Sequence, residues 1–562
     1  MKKTKFLAAI VAVLMALMGI FSACKPNKTE CKITLNMHKS YVLEVGDEVD
    51  YTQYFIARDQ NGDRIVITED MLDLSRVNTA KPGNFTVTVT IGSVSKTAMF
   101  TVREKVEDTE DDVTPTPPSG PSGPSGPTTP TNVMEKQTYN PSTFDHDNLQ
   151  DKMAGVEGAI GLPSTGNVNA LVIPVQFKGD TITDTQLARL EAAFNGTPEQ
   201  TGWESVKTYY QKASYGALNL TFDIQSVYKA NNNATYYANK RSGEEVILTE
   251  VLGAYEDELD LTKYDTNNDG TIDAVYLIYS APVDYDDADF YWAYVTWYYG
   301  ENTYDGLDAY YYLFAGFDFM DESTARDGGS GYDLIPGLKI NASTYIHETG
   351  HLLGLDDYYD YEENTGSDEG LGGADMMDYT VGDQGVYSKI MLGWLEPTIV
   401  NETTTLTIES SCTSASAILV PLNFNNSYFC EYLLIDLYAA QGLNALHASA
   451  DDSYLYGGAG YGVRIYHVSS SINKPYNSDY GSFTDYNNTD TTYSLIKLVE
   501  ADGEKKFAST EGYAAAKDLW QAGKQLSKVF PGYTRNDNKK VNFDILINSV
   551  SATEASITIT FI

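Results

Sequence analysis

The stretch 345–357 reads YIHETGHLLGLDD and contains His347, Glu348 and His351 in the order H-E-x-x-H. Residues four apart lie on the same face of a helix, about one turn from each other. The spacing therefore predicts a helix that aims both imidazoles at one metal ion, with Glu348 beside them. The alternative is an ordinary amphipathic helix that carries two polar histidines.

The residues after this helix supply a candidate third ligand. Gly354 can take the left-handed conformation that ends a helix, so the chain can turn back and deliver Asp357 to the same ion. Asp356 and Asp360 are close enough in sequence to be alternative ligands. Three protein ligands with one open position are typical of a catalytic zinc site, whereas structural sites usually have four ligands. Glu348 can reach a water molecule in that open position.

The composition of the 562 residues is that of a globular protein, with 42% hydrophobic and 21% charged residues. The length is sufficient for several domains. The net charge of −40 argues against nucleic acid as a partner, because a phosphate backbone would be repelled. The 78 acidic residues are consistent with calcium sites or with a highly solvated surface.

The first 23 residues have the pattern of an export signal. Three lysines precede the apolar run Phe6–Phe21, and small residues follow it. The sequence Phe-Ser-Ala-Cys at its end resembles a bacterial lipoprotein cleavage box, which implies that Cys24 becomes the first mature residue and carries lipid. We expect an exported protein that is anchored at the bacterial cell surface, with the membrane as a partner through this lipid. A single-pass membrane anchor is the alternative.

The other cysteines are Cys31, Cys412 and Cys430. If Cys24 carries lipid, three cysteines remain, so at most one disulfide can form. Pairing of Cys412 with Cys430 across adjacent strands is left open by the sequence.

Residues 32–103 are predicted to form a small all-β module. The segment Phe85–Thr90 alternates apolar and polar residues, as a half-buried strand does. The preceding turn, Lys81–Asn84, resembles the turn before a late strand of bacterial immunoglobulin-like domains, which implies a spacer or an adhesive module. Residues 104–133 are acidic and then rich in Pro, Ser and Gly, so we expect a linker that acts as a stalk.

Residues 134–400 alternate helix and strand patterns and are predicted to form an α+β domain with a mixed sheet and the metal-binding helix. The predicted strands are Ala170–Phe177 and Leu218–Phe222, and the predicted helices are Ser205–Gly216 and Glu244–Leu259. The aromatic-rich segment 284–332 is expected either to fill a core or to form the wall of a substrate cleft. Within it, Ala309–Phe317 is the candidate edge strand for pairing with an extended peptide.

The sequence DTNNDGTID, residues 265–273, is a candidate calcium loop. Oxygen-bearing side chains alternate in its first part and recur at its ninth position, namely Asp265, Asn267, Asp269 and Asp273. Gly270 stands where a calcium loop turns sharply, but the twelfth position is Tyr276 and not the bidentate Glu of an EF-hand. The alternative is an acidic turn before the strand Ala274–Tyr279.

A second motif follows the metal-binding stretch, with Asp375 and Met377 in a D-x-M pattern. H-E-x-x-H-x-x-G-x-x-D followed by D-x-M resembles the metzincin-type zinc proteases and, more narrowly, the immune inhibitor A-type family of secreted bacterial metalloproteases. The resemblance runs from about Asn167 to the C-terminus. It includes the segments Val206–Leu220, Ser388–Pro397, Gly462–Val468 and Ile496–Gly503.

The resemblance implies zinc on His347, His351 and Asp357, with Glu348 as the general base. It implies further roles in the D-x-M turn. There Met377, rather than Met376, would be an apolar floor beneath the histidine rings, and Tyr379 would assist the oxyanion. Many metzincins have a third histidine in place of this aspartate, which should weaken the Lewis acidity of the zinc but leave it competent.

Residues 401–562 are predicted to form a β-rich domain, interrupted by a helix at Tyr513–Lys524, in which His467 is structural. The expected protein is thus a multidomain, cell-surface zinc-dependent endopeptidase that hydrolyses extracellular proteins or glycoproteins. Two alternatives remain: a catalytically inactive or narrow-specificity surface adhesin, and a zinc enzyme that hydrolyses an ester or a glycan linkage.

Overall fold

The computed structural model describes residues 32–103 and 133–150 with short gaps, and residues 161–562 with gaps of which the longest are 283–289, 322–337, 360–370, 446–459, 474–482 and 505–513. The predicted signal segment 1–23, Cys24, Cys31 and the linker up to residue 132 lie outside the described residues. The chain divides into two compact units, Met1–Gly126 and Pro127–Ile562, which are described separately. Among the described residues, no helix has the length and apolar composition needed to span a membrane.

The N-terminal unit is built from short strands in two sheets. The strands are β1 (Lys32–Leu35), β2 (Val42–Glu44), β3 (Phe55–Arg58), β4 (Arg64–Ile65), β5 (Leu72–Asp73), β6 (Gly83–Ile91) and β7 (Val94–Arg103). One sheet has the order β1-β3-β4 and the other has the order β2-β7-β6-β5. This arrangement agrees with the predicted all-β module.

The long hairpin of β6 and β7 supplies most of the core of this unit. Phe85, Val87 and Val89 are buried, whereas the threonines between them face outward. Phe85 stacks on Phe100 with ring centroids 5.3 Å apart. The alternation thus places one face of the hairpin in the core, as period-two patterning requires.

The C-terminal unit contains the remaining strands and the α-helices. The helices are α1 (Asp184–Asn195), α2 (Pro198–Thr201), α3 (Val206–Ala213), α4 (Ala234–Ala238), α5 (Gly243–Tyr255), α6 (Ser343–Leu352), α7 (Val386–Met391) and α8 (Leu526–Val529). The strands up to α6 are β8 (Gly166–Gln176), β9 (Leu218–Ile224), β10 (Tyr228–Lys229), β11 (Thr271–Ile272), β12 (Val275–Tyr279), β13 (Tyr294–Trp297), β14 (Thr303–Tyr304), β15 (Leu307–Ala309) and β16 (Tyr311–Gly316).

A mixed sheet of six strands forms the centre of this unit, in the order β10-β8-β12-β16-β13, with β9 also paired to β8. All its pairs are parallel except that of β13 with β16. The helix α6 lies on one face, where Tyr345 and Ile346 share a core with Leu313. The helix α5 covers the other face, where Val251 packs with Phe314.

The prediction that Ala309–Phe317 is an edge strand is wrong. Ala309 ends β15, which belongs to a separate small sheet, and β16 lies between β12 and β13. The residues of β16 from Tyr312 to Gly316 are buried, as expected of a strand covered on both faces. The edge is instead β13.

The last part of the chain forms two sheets around a common core, and among its described residues also a small two-stranded sheet. Its strands are β17 (Thr398–Ile399), β18 (Thr404–Glu409), β19 (Ile418–Asn423), β20 (Glu431–Ala439), β21 (Tyr461–Ser469), β22 (Ile472–Asn473), β23 (Phe483–Thr484), β24 (Ile496–Leu498), β25 (Phe543–Val550) and β26 (Glu554–Phe561). One of the two larger sheets has the order β17-β19-β20-β21-β24 and the other the order β18-β26-β25, whereas β22 and β23 form the small sheet. Residues 401–562 are therefore β-rich as predicted.

The predicted helix at Tyr513–Lys524 is wrong where the structure describes it, from residue 514 onward. A short 3-10 turn, Ala516–Asp518, is followed by extended chain. Trp520 exchanges two backbone hydrogen bonds with Val463 of β21, of 2.8 and 3.1 Å. Pairing with a strand satisfies the peptide groups that a helix would have paired internally.

The two described cysteines, Cys412 and Cys430, are both free. Cys412 lies near the carbonyl oxygen of Ala439, at the end of β20, whereas Cys430 directly precedes the start of that strand. Nine residues of strand span about 30 Å, so a disulfide between them is sterically excluded.

We predict that Phe100→Ala destabilises the N-terminal unit by about 3–5 kcal/mol, because it leaves a cavity beside Phe85 and Tyr51. Hydrogen exchange of the β6 and β7 amides in the full chain measures the effect. Thr88→Ala is the control on the outer face, where only a hydroxyl contact with Thr97 is lost, and it should cost less than about 1 kcal/mol. Equal loss of protection in both variants would contradict the assigned faces.

Candidate metal centre

The helix α6 is held in place by hydroxyl groups from the surrounding core. The hydroxyl of Tyr210 donates to the carbonyl oxygen of Ile346 at 2.6 Å, and Tyr276 and Thr349 share a hydrogen bond of 3.1 Å. At the start of the helix, the side-chain oxygen of Asn341 accepts a hydrogen bond from the backbone N–H of Ser343. These bonds satisfy buried polar groups and fix the helix on the sheet.

The end of α6 turns the chain back toward the histidines. Gly354 has a φ of +93°, the left-handed conformation that the sequence predicts. Its N–H donates to the carbonyl oxygen of His351, and the N–H of Leu355 donates to that of Gly350. The turn therefore brings Asp357 next to the exposed side of the helix.

The three predicted ligands are brought together. The carboxylate Oδ1 of Asp357 lies 2.9 Å from Nε2 of His347 and 3.4 Å from Nε2 of His351. One ligand atom from each residue lies within 4.8 Å of the other two, which makes the group a candidate site for one metal ion. Asp356 is not part of this group, and its Oδ1 accepts the N–H of Asp357. Asp360 lies outside the described residues.

The other ring nitrogens show that this donor set fits zinc. Nδ1 of His347 lies 2.9 Å from the carbonyl oxygen of Met376, and Nδ1 of His351 lies 2.8 Å from that of Leu355. A carbonyl oxygen can only accept, so Nδ1 carries the proton in both rings. In the neutral imidazoles Nε2 therefore presents its lone pair to the common centre, as metal-ligating histidines do. Two imidazole nitrogens and one carboxylate oxygen are ligand types that zinc accepts.

The D-x-M turn lies directly beneath the helix. Asp375 accepts backbone hydrogen bonds from Met377 and Gly385, of 2.9 and 2.7 Å. A β-carbon at Gly350 would lie only 2.4 Å from the sulfur of Met377, so the glycine permits close packing of the methionine on the helix. Met376 instead contributes its carbonyl oxygen to His347. The packing of Met377 on the helix agrees with an apolar floor beneath the histidine rings, which remains a prediction.

The structure describes one of the two predicted catalytic residues, Glu348. Glu348 lies on α6 between the histidines and is 6% exposed, and its charge acts on both imidazoles. Tyr379 lies outside the described residues. Their roles therefore remain predictions.

The charge of Asp357 dominates the protonation of the metal-free site. Burial lowers the pKa of both imidazoles, but the charge and the hydrogen bonds of Asp357 outweigh burial and raise both values, that of His351 to about 10. Burial opposes ionisation of Asp357 too, yet the neighbouring histidines hold its pKa well below the usual range. The carboxylate of Asp357 therefore favours positive charge at this group, either a proton or a metal cation.

The predicted calcium loop is described as a compact turn. Asp265 accepts backbone N–H groups from Asp269 and Gly270, at 3.0 and 3.1 Å, and Gly270 has a φ of +91°. Asp273 accepts the N–H of Thr266 at 3.0 Å. Among the described residues, the three carboxylates of the loop do not form a candidate metal group of the kind formed by His347, His351 and Asp357. These bonds are those of the acidic turn, and calcium stays a prediction.

Sequence reasoning missed the residues that support the ligands. Tyr210 holds the helix, Ser388 donates to Asp375, and Arg464 donates to the carbonyl oxygen of Ala374 just before the turn. All three residues fall in segments that carried the family resemblance. Their position in these segments was the only hint in the sequence that they support the site. The contacts of each side chain are visible only in the folded chain.

Comparison with known proteins gives a family match for the N-terminal unit. Residues 36–102 match the bacterial Ig-like domain family, group 3. No curated protein matches the chain. Among solved structures, the crystal structure of metalloproteinase-II from Bacteroides fragilis is similar at 10% identity, with a TM-score of 0.17, over 58% of this chain and 77% of that protein. A likeness of this size shows neither the fold nor the function of this chain.

We predict that zinc binding to the metal-free protein releases protons. Because the folded-state pKa of both imidazoles is raised, zinc must displace protons below that pKa, and its apparent affinity should rise by about tenfold per pH unit for each displaced proton, up to about pH 10 for His351. Calorimetry in buffers of different protonation enthalpy measures the release. His146→Gln, at a half-exposed histidine away from the group, should leave it unchanged. Zinc affinity that is independent of pH would contradict the assigned ligands.

Proposed function

We propose that this chain is a zinc-dependent endopeptidase of metzincin type, similar to the immune inhibitor A-type proteases. One observation carries the proposal: both histidines are fixed through Nδ1 so that Nε2 faces Asp357, with Glu348 on the same helix. A purely structural zinc site would normally be closed by a fourth protein ligand. Among the described residues, the group contains three.

The residues around the site have distinct roles in peptide hydrolysis. A zinc ion held by His347, His351 and Asp357 would polarise the scissile carbonyl and lower the pKa of the attacking water toward neutrality. Glu348 takes a proton from the water as the water oxygen bonds to the carbonyl carbon. It then gives the proton to the amine nitrogen as the C–N bond breaks. Tyr379 is proposed to donate a hydrogen bond to the oxyanion.

The sheet edge next to the helix supports an extended peptide as substrate. The edge strand β13 packs against α6, and its outer side has no partner strand among the described residues. Trp297 of β13 is 43% exposed and Tyr299 is 77% exposed, so aromatic surface is available beside this edge. An extended segment of an extracellular protein or glycoprotein can add to such an edge through backbone hydrogen bonds.

The location follows from the N-terminal region. We propose that residues 1–23 direct export, that Cys24 carries lipid, and that the Ig-like domain and the linker hold the catalytic unit away from the membrane. Ig-like sandwiches are common in cell-surface proteins, which supports an extracellular site of action. Nucleic acid is not an expected partner, because the net charge is −40.

The test is cleavage of casein by the chain lacking residues 1–24. Glu348→Gln should lower turnover by about 10²- to 10⁴-fold, because the proton acceptor is lost while all three metal ligands remain. Metal content should stay that of the wild type.

Glu396→Gln, at a carboxylate that is 74% exposed, is the matched control and should cleave normally. A chelator should abolish cleavage in both the wild type and this control. Near-normal turnover in Glu348→Gln would contradict the proposed role of Glu348 as the general base. Metal binding without any cleavage would point to an adhesin or to a non-peptide substrate, which product analysis would identify.

We also propose that the loop 265–273 binds calcium. Burial raises the pKa of Asp273 to about 7, and the charges of Asp269 and Asp265 add to the effect, although hydrogen bonds from Thr266 oppose it. A carboxyl whose folded pKa is raised stabilises the fold below its unfolded pKa of about 3.9. That contribution is lost as the pH rises toward 7, unless a cation replaces the proton.

Calcium should therefore raise the thermal midpoint at pH 8 but scarcely at pH 5, because the ion requires the ionised carboxylate. Asp273→Asn should remove the calcium effect at pH 8. Scanning calorimetry with and without calcium measures the thermal midpoints of the wild type and of Asp273→Asn. Magnesium is the control ion. A midpoint that calcium does not change at pH 8 would leave the loop as an acidic turn.

A further inference from the structure

The strands β20 and β21 contain a buried ion pair with a fixed geometry. Asp436 and Arg464 face each other directly in the register of these strands and are 0% and 4% exposed. Nε of Arg464 donates to Oδ1 of Asp436 at 2.9 Å, and Nη2 donates to Oδ2. Oδ2 also accepts the hydroxyl of Ser411 at 2.7 Å. The carboxylate is thus held from two sides, and it orients the guanidinium.

The third nitrogen of this guanidinium points away from the sheet and reaches the chain just before the D-x-M turn. Nη1 of Arg464 donates to the carbonyl oxygen of Ala374 at 3.1 Å. Ala374 directly precedes Asp375, the first residue of the D-x-M turn. The same turn presents the carbonyl oxygen of Met376 to Nδ1 of His347. A continuous series of contacts therefore joins the C-terminal sheet to a predicted zinc ligand.

Arginine is specifically suited to this position. Its planar fork gives two parallel hydrogen bonds to one carboxylate while a further N–H points elsewhere, which a lysine ammonium cannot reproduce. The rings of Tyr438 and Tyr466 lie 5.4 and 5.5 Å from the guanidinium carbon. They restrict how far the fork can move.

We propose that Arg464 is a positioning residue for the metal centre, which sets the place of the turn 374–378 and through it the orientation of His347. The β-rich C-terminal region then belongs to the metal centre itself. This inference rests on the proposed function only in that the centre binds a metal. Partners of this kind typically change metal affinity or activity by about 10- to 100-fold when they are replaced.

A purely structural ion pair would have a different signature. It would lower stability without changing the geometry of the bound metal. The chain offers a matched pair for this comparison. Arg535 also forms a two-bond fork with Asp537, and its Nη1 donates to the carbonyl oxygen of Leu422, a residue of β19 that is not in the turn.

The experiment compares Arg464→Lys with Arg535→Lys in the chain lacking residues 1–24. Affinity for Co²⁺ by chelator competition, the d–d absorption spectrum of the Co²⁺ form, and kcat and KM for casein are measured for each. We expect Arg464→Lys to lower Co²⁺ affinity by about 10- to 100-fold and to alter the spectrum. It should also lower kcat with little change in KM. Arg535→Lys should leave all these quantities unchanged.

Asp436→Asn is the second variant, in case Arg464→Lys does not fold. It keeps the size of the side chain but loosens the fork, so a smaller change in the same direction is expected. Wild-type Co²⁺ affinity and spectrum in the folded variants would overturn the inference, as would equal changes in Arg535→Lys. A wild-type chain that binds metal but cleaves nothing overturns the proposed protease and leaves the Co²⁺ readouts as the decisive test. A wild-type chain that binds no metal overturns both.

Discussion

The candidate metal centre depends on two hydrogen bonds from histidine rings to backbone carbonyl oxygens. They run from Nδ1 of His347 to Met376 and from Nδ1 of His351 to Leu355. The first acceptor belongs to the D-x-M turn, which is distant in sequence, whereas the second belongs to the left-handed end of α6, which is local. If either acceptor moved, the ring could rotate and its Nε2 would leave the centre. Gly350 serves the same geometry, because it lets Met377 approach the helix closely.

The surroundings of the site are strongly acidic, which favours a divalent cation. Burial raises the pKa of Asp378 to about 7, and the charges of Asp375 and Asp357 add to the effect, although a backbone hydrogen bond from Gly373 opposes it. Burial likewise raises the pKa of Asp375 to about 6 against hydrogen bonds that oppose it. A cation bound by the three ligands would offset this concentration of negative charge. The charge of Asp357 likewise raises the pKa of both histidines against the effect of burial.

The helix-containing and β-rich parts of the C-terminal unit share one core, although the sequence suggests a boundary near residue 400. Trp203, in the helix-containing part, donates its indole N–H to the carbonyl oxygen of Leu443, in the β-rich part. The apolar cluster around α6 extends to Leu434 and Tyr466 of the β-rich part. The boundary itself remains a prediction. The contacts nevertheless explain how Arg464 can reach the turn beneath the candidate metal centre.

The sequence by itself determined the features that depend on short-range periodicity. It predicted the helices around Val206–Ala213 and Gly243–Tyr255, the alternating strand around Phe85, and the left-handed Gly354, because each follows from local sterics and from the burial of one face. It also predicted the ligand set of His347, His351 and Asp357. The spacing of the histidines places both on one face of the helix, and the turn at Gly354 brings Asp357 back toward that face. Tertiary structure alone decided which strand is the sheet edge, because strand order depends on contacts between distant segments. It likewise decided that residues 516–520 pair with β21 instead of forming a helix, and that Arg464 supports the D-x-M turn. Those outcomes arise from partners about 15 to 90 residues apart, which no local pattern encodes.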